Sequence, residues 1–322
     1  MTDVVLDVRD LRTHFFTRQG IGKAVDGVSF RLRRGRTLGL VGESGCGKSM
    51  TALSILQLHP QPASRIVGGQ VLFEGEDLLQ KSPSEMTRYR GKRLGLVLQD
   101  PTTALDPLFT IGDQVAEPLR LHKGMRGKPL REKIIELLRL LRISAAEQRL
   151  DSYPHQLSGG MRQRVVGAMA ISCDPAVLIA DEPTTALDVT VQAAYLALLR
   201  EIQRRTDLAI LFITHDFGVV ARMCDDVAVM YAGKIVEQGP TSKIFERPAH
   251  PYTEALLRSV PDVRRGTERL VAIPGSPPSI FRLGRGCAFA ERCPFVMDRC
   301  RRDDPVQLNV GVDRVAACWR HA

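Results

Sequence analysis

The chain has 322 residues, long enough for one large core with an appendage or for two modest domains, and its 45 Lys and Arg against 36 Asp and Glu give a net charge of +9. That balance suits a phosphate-bearing ligand, a nucleic acid or an anionic membrane face without choosing among them. No apolar stretch approaches the roughly 18–20 residues of a membrane-spanning helix, and the acidic start MTDVVLDVRD lacks the basic-then-apolar pattern of a secretory signal. A cytosolic protein is therefore expected, with any membrane role peripheral.

Residues 4–40 alternate apolar and polar positions in VVLDVRDLRTHFF and VDGVSFRLRRG, which predicts antiparallel strands with a turn at Gly20 to Gly22. TLGLVGESGCGKSMTALSILQL then gives an apolar strand, a glycine loop and an apolar-periodic helix. Residues 65–79 read as a hairpin, and RLGLVLQD as a second buried strand. From about 105 to 170 the pattern is helical, an insertion between strands in which REKIIELLRLLRI carries leucines and isoleucines at helical spacing. AVLIADEP and AILFITHD are apolar runs ending in acidic residues or histidine, the pattern of parallel strands buried on both faces with functional groups at their carboxyl ends. VAVMYAGKIVEQG reads as a closing hairpin, and beyond about 250 the composition shifts to Pro, Arg, Gly and Cys. The boundary expected is 1–250 for the main domain and 251–322 for a small tail domain.

GESGCGKS, Gly42 to Ser49, fits G-x-x-x-x-G-K-[ST] between a predicted strand and a predicted helix, the context that gives the motif its meaning. Its glycines let backbone N–H groups wrap phosphates, Lys48 reaches the β and γ oxygens, and Ser49 offers a hydroxyl to Mg²⁺. At the end of an apolar strand Asp181 suits the Mg²⁺ shell, and Glu182 beside it suits a base that polarises the attacking water. His215, at the end of another, is a candidate γ-phosphate contact. LSGGMRQR places Ser158, Gly159 and Gly160 at a helix N-terminus, a second anion-binding surface far along the chain, which suggests use in trans.

GESGCGKS, Gln99, LSGGMRQR, LIADEP, TALD and His215 occur in the order and approximate spacing of ABC transporter nucleotide-binding subunits, which the chain resembles over about residues 5–245. More narrowly, QDPTTALDP, SYPHQLSGGMRQR, HPYTEALLRSVP and GCAFAERCPFVMDRC resemble the ATPases of bacterial dipeptide and oligopeptide importers, a likeness that runs through the tail. The resemblance implies an α/β P-loop ATPase core with an antiparallel β subdomain and a helical subdomain, plus a small cysteine-ligated C-terminal domain. It implies ATP and Mg²⁺ as cofactors, held by Gly42, Glu43, Ser44, Gly45, Cys46, Gly47, Lys48, Ser49 and Met50, with Gln99 and Asp181 joining Ser49 at the metal. It implies Glu182, His215 and Gln99 as catalytic, and Ser158, Gly159, Gly160 and Gln163 as completing a partner's site. Asp188 would lie in the dimer contact, and Phe15, in preference to Phe16, would stack on adenine.

The implied partners are a second ATPase, in a heterodimer, and two permeases at the cytoplasmic face of the plasma membrane, with an extracytoplasmic binding protein acting indirectly. Peptides are the expected cargo; nickel, glutathione or oligosaccharides are the alternatives. Soluble relatives that work on nucleic acid or ribosomes fit less well. About 110 residues separate Lys48 from Ser158 without sustained heptads, there is one motor, and aromatic residues are few.

Four cysteines, Cys287, Cys293, Cys300 and Cys318, are spaced C-x5-C-x6-C-x17-C in the tail. From the residues alone they could hold Zn²⁺, hold an iron-sulfur cluster, or pack as thiols. The resemblance implies a 4Fe-4S cluster. Cys173 and Cys224 read as core residues.

Overall fold

The computed structural model describes residues 3–185, 187–259 and 272–322. Its strands, in chain order, are β1 (Val4–Thr17), β2 (Gly20–Arg33), β3 (Thr37–Val41), β4 (Ser64–Phe73), β5 (Glu76–Asp77) and β6 (Leu94–Val97). They continue with β7 (Val177–Asp181), β8 (Ala209–Thr214), β9 (Asp226–Tyr231), β10 (Lys234–Pro240), β11 (Leu308–Gly311) and β12 (Arg314–Ala316). The chain divides into two compact units, one of Met1–Val5, Leu32–Arg36 and Gln80–Phe212, the other of Leu6–Arg31, Thr37–Leu79 and Ile213–Ala322.

In the second unit β2, β1, β4 and β5 lie side by side in that order, with β1 antiparallel to β4 and β4 to β5. Along β2 the side chains of Val28 and Phe30 are buried while Ser29 and Arg31 are exposed, the two-residue period of a strand with one wet face. The turn into β2 comes earlier than the glycines predict, at Arg18 and Gln19. Thr17 makes the difference: its Oγ1 accepts from Gln19 N at 3.2 Å and donates to Gly20 O at 3.4 Å, a hydroxyl-closed turn.

In the same unit β3, wholly buried, runs parallel to β9, and β9 turns back antiparallel into β10 as the predicted hairpin. That hairpin is not the edge. β12 adds to β10 with Glu237 opposite Ala316, and β11 pairs with β12. These two strands were not anticipated, because segments of four and three residues are too short to show alternation.

In the first unit β6 and β7 are parallel and β8 follows β7. Helices Ile111–Lys123, Gly127–Leu140 and Gly159–Ile171 fill the segment expected to be helical. Leu130, Ile134, Leu137 and Leu138 form the buried stripe of the second of these helices. Thr110, Ser158 and Asp188 cap helix N-termini with side-chain oxygens on backbone N–H groups. Among the described residues no helix is long and apolar enough to cross a membrane.

Candidate functional site

The glycine loop lies in the second unit, between β3 and helix Lys48–Ile55. Gly42 has φ 153° and Gly47 φ 110°; a Cβ on the first would run into the carbonyl oxygen of Met230, and on the second into that of Ala24. Only glycine lets the backbone pass there. Lys48 is 5% exposed, and its Nζ donates to Gly42 O at 2.8 Å and Glu43 O at 3.0 Å, drawing the loop into a ring. Ser44 and Gly45 form the exposed crest, Ser49 and Met50 are half-buried, and Cys46 is buried, with burial pushing its thiol up. Gly47 offers the helix no side-chain cap, so that end is left for an anion. Phe15 is half-buried, whereas Phe16 is 38% exposed with the Arg65 guanidinium 5.3 Å from its ring centroid. His215, exposed, also belongs to this unit.

The first unit carries the other motif residues. Asp181, 6% exposed, ends buried β7. Glu182 turns the chain with φ 45°, and its Oε2 accepts from Gln99 Nε2 at 3.1 Å and from Thr185 Oγ1 at 3.0 Å. Two donors on one oxygen fix the carboxylate's direction. Ser158 caps its helix by accepting from Met161 N at 3.4 Å, Gly159 is exposed with open space where a Cβ would stand, and Gln163 is 1% exposed. Gln163 is therefore on the buried side of the helix, whereas Ser158 and Gly159 face outward.

The four tail cysteines line one small cavity together with His250, Phe289, Phe295 and Trp319. Burial first, and then the neighbouring thiols of Cys300, Cys318 and Cys293, push Cys287 up to about 11. Among the described residues no three His, Cys, Asp or Glu side chains are arranged around a single-ion position. Cys173 and Cys224 are buried, as the sequence predicts.

The run HPYTEALLRSVP has no role legible in the sequence, and its histidine and tyrosine have definite ones in the structure. His250 caps helix Pro251–Arg258 through Nδ1, which accepts from Tyr252 N at 3.0 Å, and burial pushes His250 down to about 3. Glu237, fully buried, accepts from the backbone N–H groups of Ala249 and His250 and from Arg314 of β12. Tyr252, in turn, places its hydroxyl 2.8 Å from the backbone nitrogen of Glu43 in the glycine loop. A His-Pro-Tyr run opening a helix was the visible signal; its target could not be read from spacing.

The comparisons agree with this geometry. A family model described as ABC transporter matches residues 25–185, and one described as the C-terminal region of oligopeptide/dipeptide transporters matches residues 236–300. A probable peptide ABC transporter ATP-binding protein of Sinorhizobium fredii is 52% identical over 99% of this chain and 95% of its own length. The dipeptide transport ATP-binding protein DppD of Bacillus subtilis is 49% identical over 98% of this chain and 94% of its own length. Among solved structures, the dimeric ATP-binding cassette MJ0796, in a post-hydrolysis state with ADP and Pi, superposes with a TM-score of 0.66 at 26% identity, over 73% of this chain and 98% of that one. The chain belongs to the ABC transporter ATPase family and carries the C-terminal region of its oligopeptide/dipeptide transporter branch.

Proposed function

We propose that this chain is the ATP-hydrolysing subunit of a peptide importer, paired with a second, different ATPase on two permeases at the cytoplasmic face of the plasma membrane. The observation that carries the reading is the loop Gly42 to Ser49, in which Gly42 and Gly47 stand where no Cβ fits and Lys48 draws the backbone into a ring. Glu43, Ser44, Gly45, Cys46, Gly47 and Met50 follow the phosphates. Ser49, Gln99 and Asp181 supply the hard oxygen donors that Mg²⁺ prefers. Glu182, aimed by Gln99 and Thr185, acts as base on the attacking water, and His215 contacts the γ-phosphate. Ser158, Gly159, Gly160 and, from beneath, Gln163 serve the partner's nucleotide, with Asp188 in the dimer contact. Arg65 already occupies a face of Phe16, which favours Phe15 as the adenine-stacking ring.

Turnover by the assembled complex tests the catalytic assignment: Glu182→Gln lowers the ATPase rate by about 10²- to 10⁴-fold while MgATP still binds. An unchanged rate removes Glu182 from the role. Peptide cargo is favoured by the names of the relatives and by the tail; uptake of labelled dipeptide and of nickel by membranes containing the complex separates the two substrates.

The tail thiols are further proposed to hold a 4Fe-4S cluster. All four line one cavity, and a set of four thiols, in a tail that resembles that of the peptide-importer ATPases, suits iron-sulfur chemistry. Four ligands with no open position make such a group a structural staple in a segment with little core. Brown protein containing iron and sulfide after anaerobic purification, with both lost in Cys300→Ser, is the expected result; colourless protein with bound zinc contradicts it.

A further inference from the structure

The turn between Cys287 and Cys293 carries a contact that neither the nucleotide site nor the cysteine cavity explains. Arg292 Nη1 donates to Glu43 Oε2 at 2.7 Å and Nη2 to Glu43 Oε1 at 2.9 Å, a two-pronged ion pair across 249 positions of chain. The Arg292 side chain is 5% exposed, and two further donors are used: Nε reaches Pro274 O at 2.9 Å and Nη1 the Tyr231 hydroxyl at 3.2 Å. Four hydrogen bonds on three nitrogens set the orientation of the guanidinium.

Glu43 is the first variable position of the phosphate loop. Its carboxylate is held by Arg292, its N–H by the Tyr252 hydroxyl, and its carbonyl by Lys48. Two of the three partners come from the C-terminal quarter of the chain. Behind them Tyr231, Tyr252 and Phe289 pack ring against ring with centroids 4.5–5.3 Å apart. The turn that presents Arg292 is tied at both ends to cysteines: Ala290 N donates to Cys287 O, Cys293 N to Ala290 O, and Cys287 N to Cys300 O.

We infer that Arg292 is a positioning residue for nucleotide binding, through which the cysteine-bearing tail fixes the backbone of the phosphate loop at Glu43. The inference rests on reading Gly42 to Ser49 as that loop. Arg292 touches no phosphate; it holds the carboxylate whose backbone sets where the loop's N–H groups and Lys48 point. A loosened tail then lowers the affinity for ATP before it touches the chemistry.

The test is a double-substitution cycle on the full chain, with MgATP affinity measured by titration and turnover measured on the assembled complex. Arg292→Lys keeps the charge and loses the fork; Glu43→Gln keeps the shape and loses the charge. Each raises the Kd for MgATP about tenfold, corresponding to about 1.4 kcal/mol, while kcat at saturating ATP falls by a smaller factor. The double variant is no weaker than the worse single one, because the two groups act as a unit. Wild-type affinity in both single variants, or losses that add in the double variant, overturns the inference. Lys48→Ala distinguishes the underlying reading: if it leaves MgATP binding intact, the phosphate-loop assignment fails, whatever Arg292 does.

Discussion

The phosphate loop and the signature segment are both glycine-rich stretches at helix N-termini, yet the chain treats them differently. Around the loop, glycine is demanded from inside: backbone carbonyls of Met230 and Ala24 occupy the space a side chain would need, and Lys48, Tyr252 and Arg292 pin what remains. At the signature, Gly159 meets nothing within 4 Å, and Ser158 does no more than cap its own helix. Contacts within the chain account for Gly42 and Gly47 but not for Gly45 or Gly159, and at the signature Gly160 meets only a side chain, that of Val191 at 2.8 Å, where Gly42 and Gly47 meet backbone. That asymmetry supports the proposed division of labour, in which the loop serves the chain's own nucleotide and the signature that of a partner.

The comparison breaks most readily at Gly47. Gly47→Ala sets a Cβ against a backbone carbonyl at φ 110°, costing about 2–5 kcal/mol and abolishing MgATP binding, as thermal unfolding and titration would show. Acid should then loosen the loop side and spare the signature side. Folded His250 stays neutral where a free histidine charges, so the unfolded chain takes up the proton first; the stability due to burying it is whole above pH 6.5 and drains as pH falls toward about 3. The protection of the Glu43 amide against exchange, relative to the intrinsic rate at each pH, should fall over that range before protection in helix Gly159–Ile171 does, since its N–H is held by Tyr252. Ser158→Ala removes a cap and costs about 1 kcal/mol. Gly159→Ala should be the mildest for the isolated chain, within about 0.5 kcal/mol of wild type. Its effect should fall instead on turnover of the assembled complex; full turnover there would remove the asymmetry's functional meaning.

Much of the motor was legible because each part announces itself locally. An apolar strand, a glycine pattern and a helix leave a fixed spacing for Gly42 to Ser49, and Asp181 and Glu182 close a run of buried residues. The leucine stripe of helix Gly127–Leu140 is visible as periodicity. Contacts between distant segments were not legible. The pairing of β12 with β10, the Glu237–Arg314 contact and the Arg292–Glu43 fork join residues 77–249 positions apart, and their partners have no local signature. An arginine in an arginine-rich tail looks like solvated charge until the fold supplies its carboxylate. The turn at Arg18 and Gln19 was misplaced for a smaller reason: Thr17 closes it with a hydroxyl, and the glycines that drew attention begin the next strand.

The most direct test of the central claim is ATP-dependent uptake of a labelled dipeptide by membrane vesicles containing the complete complex, with either the wild-type chain or Glu182→Gln. Uptake with the wild-type chain, lost in Glu182→Gln although MgATP still binds, is the predicted result. Uptake that proceeds undiminished with Glu182→Gln would contradict the account.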